Sequence, residues 1–486
     1  MSSISFPQGD IYPHSLLTEG STVFALASLR ADGRKRLLVQ GDSRGFEGEL
    51  QDDLLVCELS PANAAALRSR LAWLNPTPLG RQTSFGFGDR LGLATPGHIA
   101  ALRTADPDHF IAPIFAQQSV RENTRTGRTP QEVLDDAMWG IFQEGWREPW
   151  GADADHIKGT ADLPPFVAAG YTFYTIDPSD SVDNEAQTDS LDTLRKKAAL
   201  LPWDEMETTY DASKMQYCTG TLLVGDLPLI FDEETFLRAV VKYGPAVLHT
   251  AVIAAVLDEE MGGKGYDLEM SVDETDTPTS IHEHYFIAGE LHRRGIPVVS
   301  LAPRFVGKFQ KGVDYMGDID EFDRELAKHM AILHHFDSYK ISIHTGSDKF
   351  SIYGTINEQA QGYAHVKTAG TSYLEALRVI AELNPALFRR MLDLAHKNFQ
   401  NDRKTYFVDC DPQKVPVSSE LDDEELPGLL EQFDARQLLH VTFGSILDAY
   451  GDELAAFITD HESDYRMGLE THFARHLQPF AKRRDG

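Results

Sequence analysis

The sequence predicts an α/β protein: a closed (β/α)8 barrel of the TIM type. A small β-rich unit precedes it, a helical insertion follows the fourth strand, and a helical extension ends the chain. Three observations predict this. Short apolar segments alternate eight times with helical stretches between residues 84 and 383. Helix-start signals such as Thr129-Pro130 with Glu132, and Asp318 with Glu321, follow strand-like segments. No GxGxxG or GxxxxGK[ST] follows a strand, so the usual dinucleotide and P-loop signals are missing. The rival architecture is an open doubly wound sheet.

The elements read in order as follows. VFALASL and RKRLLVQG are strands around the turn at Ala31–Gly33, and PANAAALRSRLAWLN is a helix running to Pro76 and Pro78. This gives a unit over residues 1–80. The barrel spans 81–385. Its first strand, SFGFGDRLG, precedes a helix capped by Thr95. FIAPIFAQQ is second, and the helix of TPQEVLDDAMWGIFQEG follows it. EPWGADADHIK and YTFYTIDPSD are third and fourth. The insertion covers about 181–266. DLEMSVDETD, fifth, leads to a helix opening at Pro278; IPVVSLAPRF, SYKISIHTGSD and GYAHVKTAG complete the set. Residues 386–486 form the extension.

Composition narrows the function. The 486 residues carry 45 Lys+Arg against 75 Asp+Glu, a net charge of −30, which argues against nucleic acid or an anionic membrane as partner. Cys57, Cys218 and Cys410 are too few and too scattered for a disulfide framework or a thiolate zinc cluster. The start lacks a basic segment followed by an apolar one. The most apolar stretch, Ala239–Leu257, is broken by Lys242, His249 and a Gly-Pro pair. The expectation is a cytoplasmic protein with a small-molecule substrate. Oligomeric state is left open.

In such barrels chemistry sits at the C-terminal ends of the strands. Here these ends carry Asp89 and Arg90; Asp153, Asp155, His156 and Lys158; Asp177, Ser179 and Asp180; Glu269, Ser271 and Asp273; Arg304 and Lys308; His344, Ser347, Asp348 and Lys349; His365, Lys367 and Thr368. Asp153 and Asp155 share one face of their strand; the plainer reading is a helix cap or a pair with Lys158. His156, His344 and His365 fall at strand ends, and imidazoles on one rim suit a divalent metal with an open coordination position. Glu269 lies in an apolar strand, where a carboxylate must be paired, metal-bound or perturbed. A buried ion pair with Lys367 or Arg304 is the plainer reading. His282 and His284 point to different sides of a helix, His334 and His335 end another, and His440 reads as core. His98 could line the site. Gly346 could open backbone N–H groups to an anion.

WGADADHIK, TIDPSD, FVGKFQKGVDYMGD, SIHTGSDKFSIYG and HVKTAGTSYLEALR together resemble the tagaturonate/fructuronate epimerase family. The resemblance runs from the first barrel strand to the helix after the eighth. It implies a divalent-metal-dependent barrel enzyme that interconverts D-fructuronate and D-tagaturonate. These hexuronates differ at a carbon β to the ketone, whose C–H the carbonyl does not acidify, so retro-aldol cleavage and re-addition is the expected route. In that scheme His156, His344 and His365 hold the metal. Asp153 and Glu269 are the acid/base pair, with Asp155 as substitute for Asp153. Arg304, Lys308 and Lys349 are candidates for the substrate carboxylate. Lys367 would face developing oxyanion charge, and Ser347 and Asp177 complete the substrate contacts. Nitrogen and oxygen ligands admit Zn²⁺, Mn²⁺, Fe²⁺, Co²⁺ or Ni²⁺. An aldolase or an epimerase of another ketose would show much the same rim, and a non-catalytic sugar-acid binding protein is a further alternative.

Overall fold

The computed structural model describes residues 4–481. It begins with a six-stranded antiparallel sheet whose longest members, Thr22–Leu29 and Lys35–Gln40, pair around a turn that places Gly33 at φ 69°. Alternation along these strands gives the sheet two apolar faces. Phe24, Leu26, Leu37 and Val39 join the main core beneath the helix Pro61–Arg70. Val23, Ala25, Ala27 and Leu38 pack with Ile4 and Phe6 on the other side.

Eight parallel strands then close a barrel. In chain order they are Ser84–Gly88, Ala112–Ser119, Gly151–Ile157, Phe173–Ile176, Asp267–Ser271, Val298–Ala302, Lys340–Ile343 and Ala364–Thr368. Each predicted strand segment contains one of them, except that the second strand runs one residue past its segment, to Ser119. The eighth closes on the first with Lys367 opposite Gly86 and Thr368 opposite Phe87. Gly88 marks the tightest point of that seam: a Cβ there would meet the Ala369 carbonyl oxygen at 2.3 Å.

Helix caps follow the local sequence, with two corrections. Thr129 and Glu132 form the expected capping box, and Asp318 caps the helix Ile319–Phe336. Thr95, however, is the first helical residue behind Ala94 and makes no cap bond; the Asp89 carboxylate accepts from the backbone N–H groups of Leu91, Gly92 and Ala94 instead. The helix expected to open at Pro278 starts at Ile281, because Ser280 and Glu283 form the capping box there.

After the fourth strand the chain forms helices Leu191–Ala199 and Tyr210–Tyr217, a hairpin of Thr221–Val224 with Leu227–Ile230, and the helix Glu233–Met261. That last helix is long and apolar enough to cross a membrane by length and composition, but most of its apolar window is buried inside the protein. Its Lys242 is buried and donates to Glu283 and Thr277, both at 3.0 Å.

Beyond the barrel come the helices Pro385–Asp402, Phe433–Val441, Phe443–Asp460 and Glu462–Leu477. The last lies against Thr95–Ala105, close enough that a Cβ on Gly97 would meet Leu469 at 2.5 Å. Arg90, at the end of the first strand, is sealed between Glu122 (2.7 Å) and the Phe443 ring (3.7 Å). Glu462 accepts from Tyr12 (2.6 Å) and Lys35 (2.8 Å), so the last helix is tied to the first sheet.

The seam yields a test. Gly88→Ala forces a methyl into backbone that no rotamer change relieves. It should cost about 1–3 kcal/mol, read as a lower urea midpoint at unchanged slope.

Candidate active site

The barrel interior is polar because alternation turns acidic and basic residues inward on several strands. At its centre the Lys367 ammonium lies 2.8 Å from Asp153 Oδ2, 2.8 Å from Asp155 Oδ1 and 2.9 Å from Glu269 Oε1. It also donates to Thr175 Oγ1, whose single proton has Asp153 Oδ1 (3.0 Å) and Glu269 Oε1 (3.2 Å) as its two possible acceptors. Ser300 donates to Glu269 Oε2, and Gln117 to Asp155 Oδ2. Asp153 and Glu269 are fully buried. Below this layer Lys340 donates to the Ser84 hydroxyl at 2.8 Å, and His365 Nδ1 lies 2.8 Å from the same oxygen.

Two imidazoles stand above it. His344, one residue past the seventh strand, has Nε2 2.7 Å from Glu269 Oε1 and Nδ1 3.3 Å from Asp273 Oδ1. His156, near the end of the third strand, has Nδ1 3.3 Å from Asp177 Oδ2. The two rings meet edge-on with centroids 5.1 Å apart. One ligand atom from each of Asp155, His156 and His344 lies within 4.8 Å of the others. The backbone is bent to achieve this: His156 has φ 56° and Thr345, beside His344, has φ 52°. A β-branched residue in the left-handed region is a costly outlier, of the kind that clusters at functional sites.

Electrostatics follow from burial and crowding. Burial, with the neighbouring carboxylates of Asp155 and Glu269, pushes Asp153 up to about 7, although Lys367 opposes it. Burial acts the same way on Glu269, but Lys367 and His344 override it and hold this carboxyl well below its usual range. Asp155 is likewise lowered, against burial, by Lys367 and the two imidazoles. Burial would depress both imidazoles; Asp155 and Asp177 nevertheless raise His156 to about 10, and Asp273 and Glu269 raise His344 to about 9. The carboxylates of Asp153, Asp155, Asp177, Glu269 and Asp273 thus outweigh the cations that face them. A cation suits this donor set of one carboxylate and two imidazoles, with negative charge behind it.

A cleft of about 410 Å³ opens beside His344, lined by Arg121, Asp273, Glu274, Arg304, Lys308, Lys311, Thr345 and Tyr406 among others. It is large enough for a six-carbon sugar acid.

The family model of tagaturonate epimerase matches residues 12–480. The chain belongs to the tagaturonate epimerase family. It is 43% identical over 423 residues to the tagaturonate/fructuronate epimerase of Thermotoga maritima, covering 87% of this chain and 85% of that protein. The native crystal structure of fructuronate-tagaturonate epimerase from Cohnella laeviribosi superposes with a TM-score of 0.92 at 37% identity, over 98% of this chain and 97% of that one. A glycerol complex of the same protein gives the same TM-score and identity, over 97% and 96%. The protein is therefore a carbohydrate epimerase, an isomerase.

The epimerase fold brings together some of the residues expected from sequence and separates others. His365 does not join His156 and His344. It lies in the layer below, fully buried, bonded to Ser84 and packed against the Phe173 ring. Asp155 takes the third place in the donor cluster. Glu269 makes the ion pair with Lys367 that was the plainer reading, and Asp153 and Asp155 pair with Lys367 rather than with Lys158. Lys349 turns away from the cleft: its buried ammonium donates to the carbonyl oxygens of Gln310, Val313 and Ser347. Ser347 is buried in the same loop, and Asp177 orients His156. Arg304 and Lys308 line the outer cleft, where Lys308 pairs with Asp409 at 2.7 Å. The Gly346 N–H is bound to the Lys367 carbonyl. His98 is core, stacked on Phe87 and 2.8 Å from Ser372 Oγ.

Sequence reasoning missed Arg121 and Lys311, and did not select Asp273 or Glu274. Arg121 was legible in part, since it sits two residues past the second strand, whose end runs to Ser119. Lys311 lies in an irregular loop after the sixth strand, inside the segment FVGKFQKGVDYMGD that carries the family resemblance, but no spacing or strand end singles it out there.

Asp348 anchors the loop that follows His344. It meets His472 Nε2 at 2.7 Å and Arg436 Nη2 at 3.0 Å, and its N–H donates to His476 Nε2 at 3.0 Å. These groups are mutually paired as an ion network.

Replacing Lys367 with Met should destabilise the fold by about 3–5 kcal/mol, because it strands buried carboxylates without a counter-charge. Denaturant titration at neutral pH should show this loss, and it should shrink as acid protonates the cluster.

Proposed function

We propose that this epimerase interconverts D-fructuronate and D-tagaturonate by metal-assisted retro-aldol cleavage and re-addition. The observation that carries the reading is the cluster of Asp155, His156 and His344, with His344 on the cleft wall, in a chain of this family. A divalent cation held by these three residues would supply a Lewis acid that polarises the substrate ketone.

The chain's own groups perform the proton transfers. The reaction begins with loss of the proton on the hydroxyl β to the ketone. The adjacent C–C bond breaks, its electron pair moves into an enediolate, and the former carbinol carbon becomes an aldehyde. Re-addition to the opposite face of that aldehyde inverts the centre, and the new alkoxide takes a proton. Two groups on different sides are needed. Asp273 lines the cleft, held by the Ser271 hydroxyl, and serves one face. Glu269, at the floor behind His344, serves the other. Asp153, one layer deeper and locked to Lys367, holds that ammonium in place beside the reacting centre. Ordered carboxylates and a largely buried floor keep bulk water from the cleaved fragments.

Metal-replete protein incubated with D-fructuronate should give D-tagaturonate by NMR, and an EDTA-stripped sample should give none. In D₂O the hydrogen on the epimerised carbon should be retained; deuterium there rejects cleavage and re-addition. Glu269→Gln and Asp273→Asn should each lower kcat by about 10²–10⁴-fold while metal content, read by elemental analysis, stays unchanged. Full activity in either variant removes that residue from the proton transfers.

A further inference from the structure

The cleft wall beside His344 carries two cations with little to neutralise them. Lys311 donates to the neutral Thr345 hydroxyl at 3.0 Å and forms no ion pair among the described residues. Arg121 reaches Glu274 only at 3.4 Å, and its Nε has no hydrogen-bond partner. The Tyr406 ring, 5.2 Å from the guanidinium carbon, holds Arg121 over the cleft. The two cations feel each other: after burial, the charge of Arg121 is what most depresses the Lys311 ammonium below its ordinary value. Like charges crowded at a partly dry wall are costly unless an anion completes them.

We propose that Lys311 and Arg121 form the seat for the carboxylate of the sugar-acid substrate. This rests on the hexuronate reading above and names where the acid end binds. A planar guanidinium with an adjacent ammonium matches one carboxylate. The same cleft carries Asp273, Glu274 and Asp276, which would repel a dianionic phosphate yet accept hydrogen bonds from sugar hydroxyls. Lys311 is bound to Thr345, the residue after His344, so the acid end and the ketone end of one substrate would lie in one cleft. Arg304 lines the same cleft, and its charge also reaches Tyr243 in the outer helix Glu233–Met261. Lys308 is occupied by Asp409.

The seat also meets a demand of the reaction. Cleavage frees a three-carbon aldehyde acid from the ketose half. A two-point ionic tether at its far end retains that fragment while its carbonyl turns.

Calorimetric titration of the metal-replete protein with glycerate and with glycerol tests the seat, since the two differ in the carboxylate. The unaltered protein should bind glycerate at least 10-fold more tightly, as expected for a charge-assisted pair. Lys311→Met and Arg121→Gln should each erase that preference, Lys311→Arg should restore part of it, and thermal melting should show all three folded. In the two disabling variants, kcat/KM for D-fructuronate should fall about 100-fold, carried by KM. Equal binding of both ligands by the unaltered protein, or a preference that survives in both variants, overturns the seat. Failure of the unaltered protein to convert D-fructuronate overturns the hexuronate reading instead, and the glycerate result still judges the seat.

Discussion

The ammonium of Lys367 is the contact on which the rest of the interior depends. Three carboxylates converge on it within 2.9 Å, from the third and fifth strands. Without that charge they would repel one another in a medium of low dielectric, and at least one would have to take up a proton. With it, the eighth strand is stitched across the barrel to the third, fourth and fifth. The same ammonium leaves its neighbours unequal: Asp153 stays near neutrality in its proton affinity, while Glu269 and Asp155 remain ionised beneath the imidazoles. An ionised floor of this kind favours positive charge above it, which is what raises the proton affinity of the two imidazoles.

That polar column adds little by itself to stability, since desolvation offsets much of its Coulomb energy. The apolar shell around it supplies the balance. It is continuous from the first sheet through the barrel helices to the last helix. The strained backbones at His156 and Thr345, both half-buried at the rim, are held by the buried residues that flank them, Asp155 and Ile157 beside the first and His344 and Gly346 beside the second.

Much of this was readable from the sequence, and the failures share a cause. All eight strands and the insertion were visible as period and punctuation. Depth was not. His365 and Lys367 face the same way, as do Asp153 and Asp155, yet two residues along a strand span about 6.6 Å, more than a coordination sphere. Which of each pair reaches the open end depends on where the barrel stops, and no local pattern records that. So His365 lies a layer below His156 and His344, and Asp155, the substitute for Asp153 in the expected scheme, lies beside the two imidazoles. Loops failed for another reason. Lys349, a candidate for the substrate carboxylate, folds inward onto three carbonyl groups, whereas Lys311, not singled out within FVGKFQKGVDYMGD, folds toward the cleft. Long-range packing decides such directions.

The anchoring of Asp348 by His472 and His476 sets a timetable for maturation. The loop that presents His344 leaves the ribosome more than a hundred residues before the helix that ties it down. All eight staves can therefore be present on a nascent chain whose donor cluster is not yet fastened. The helix that fastens it also clasps the sheet made first, through Glu462. The fastened donor cluster and the closed ends of the polypeptide therefore share one helix.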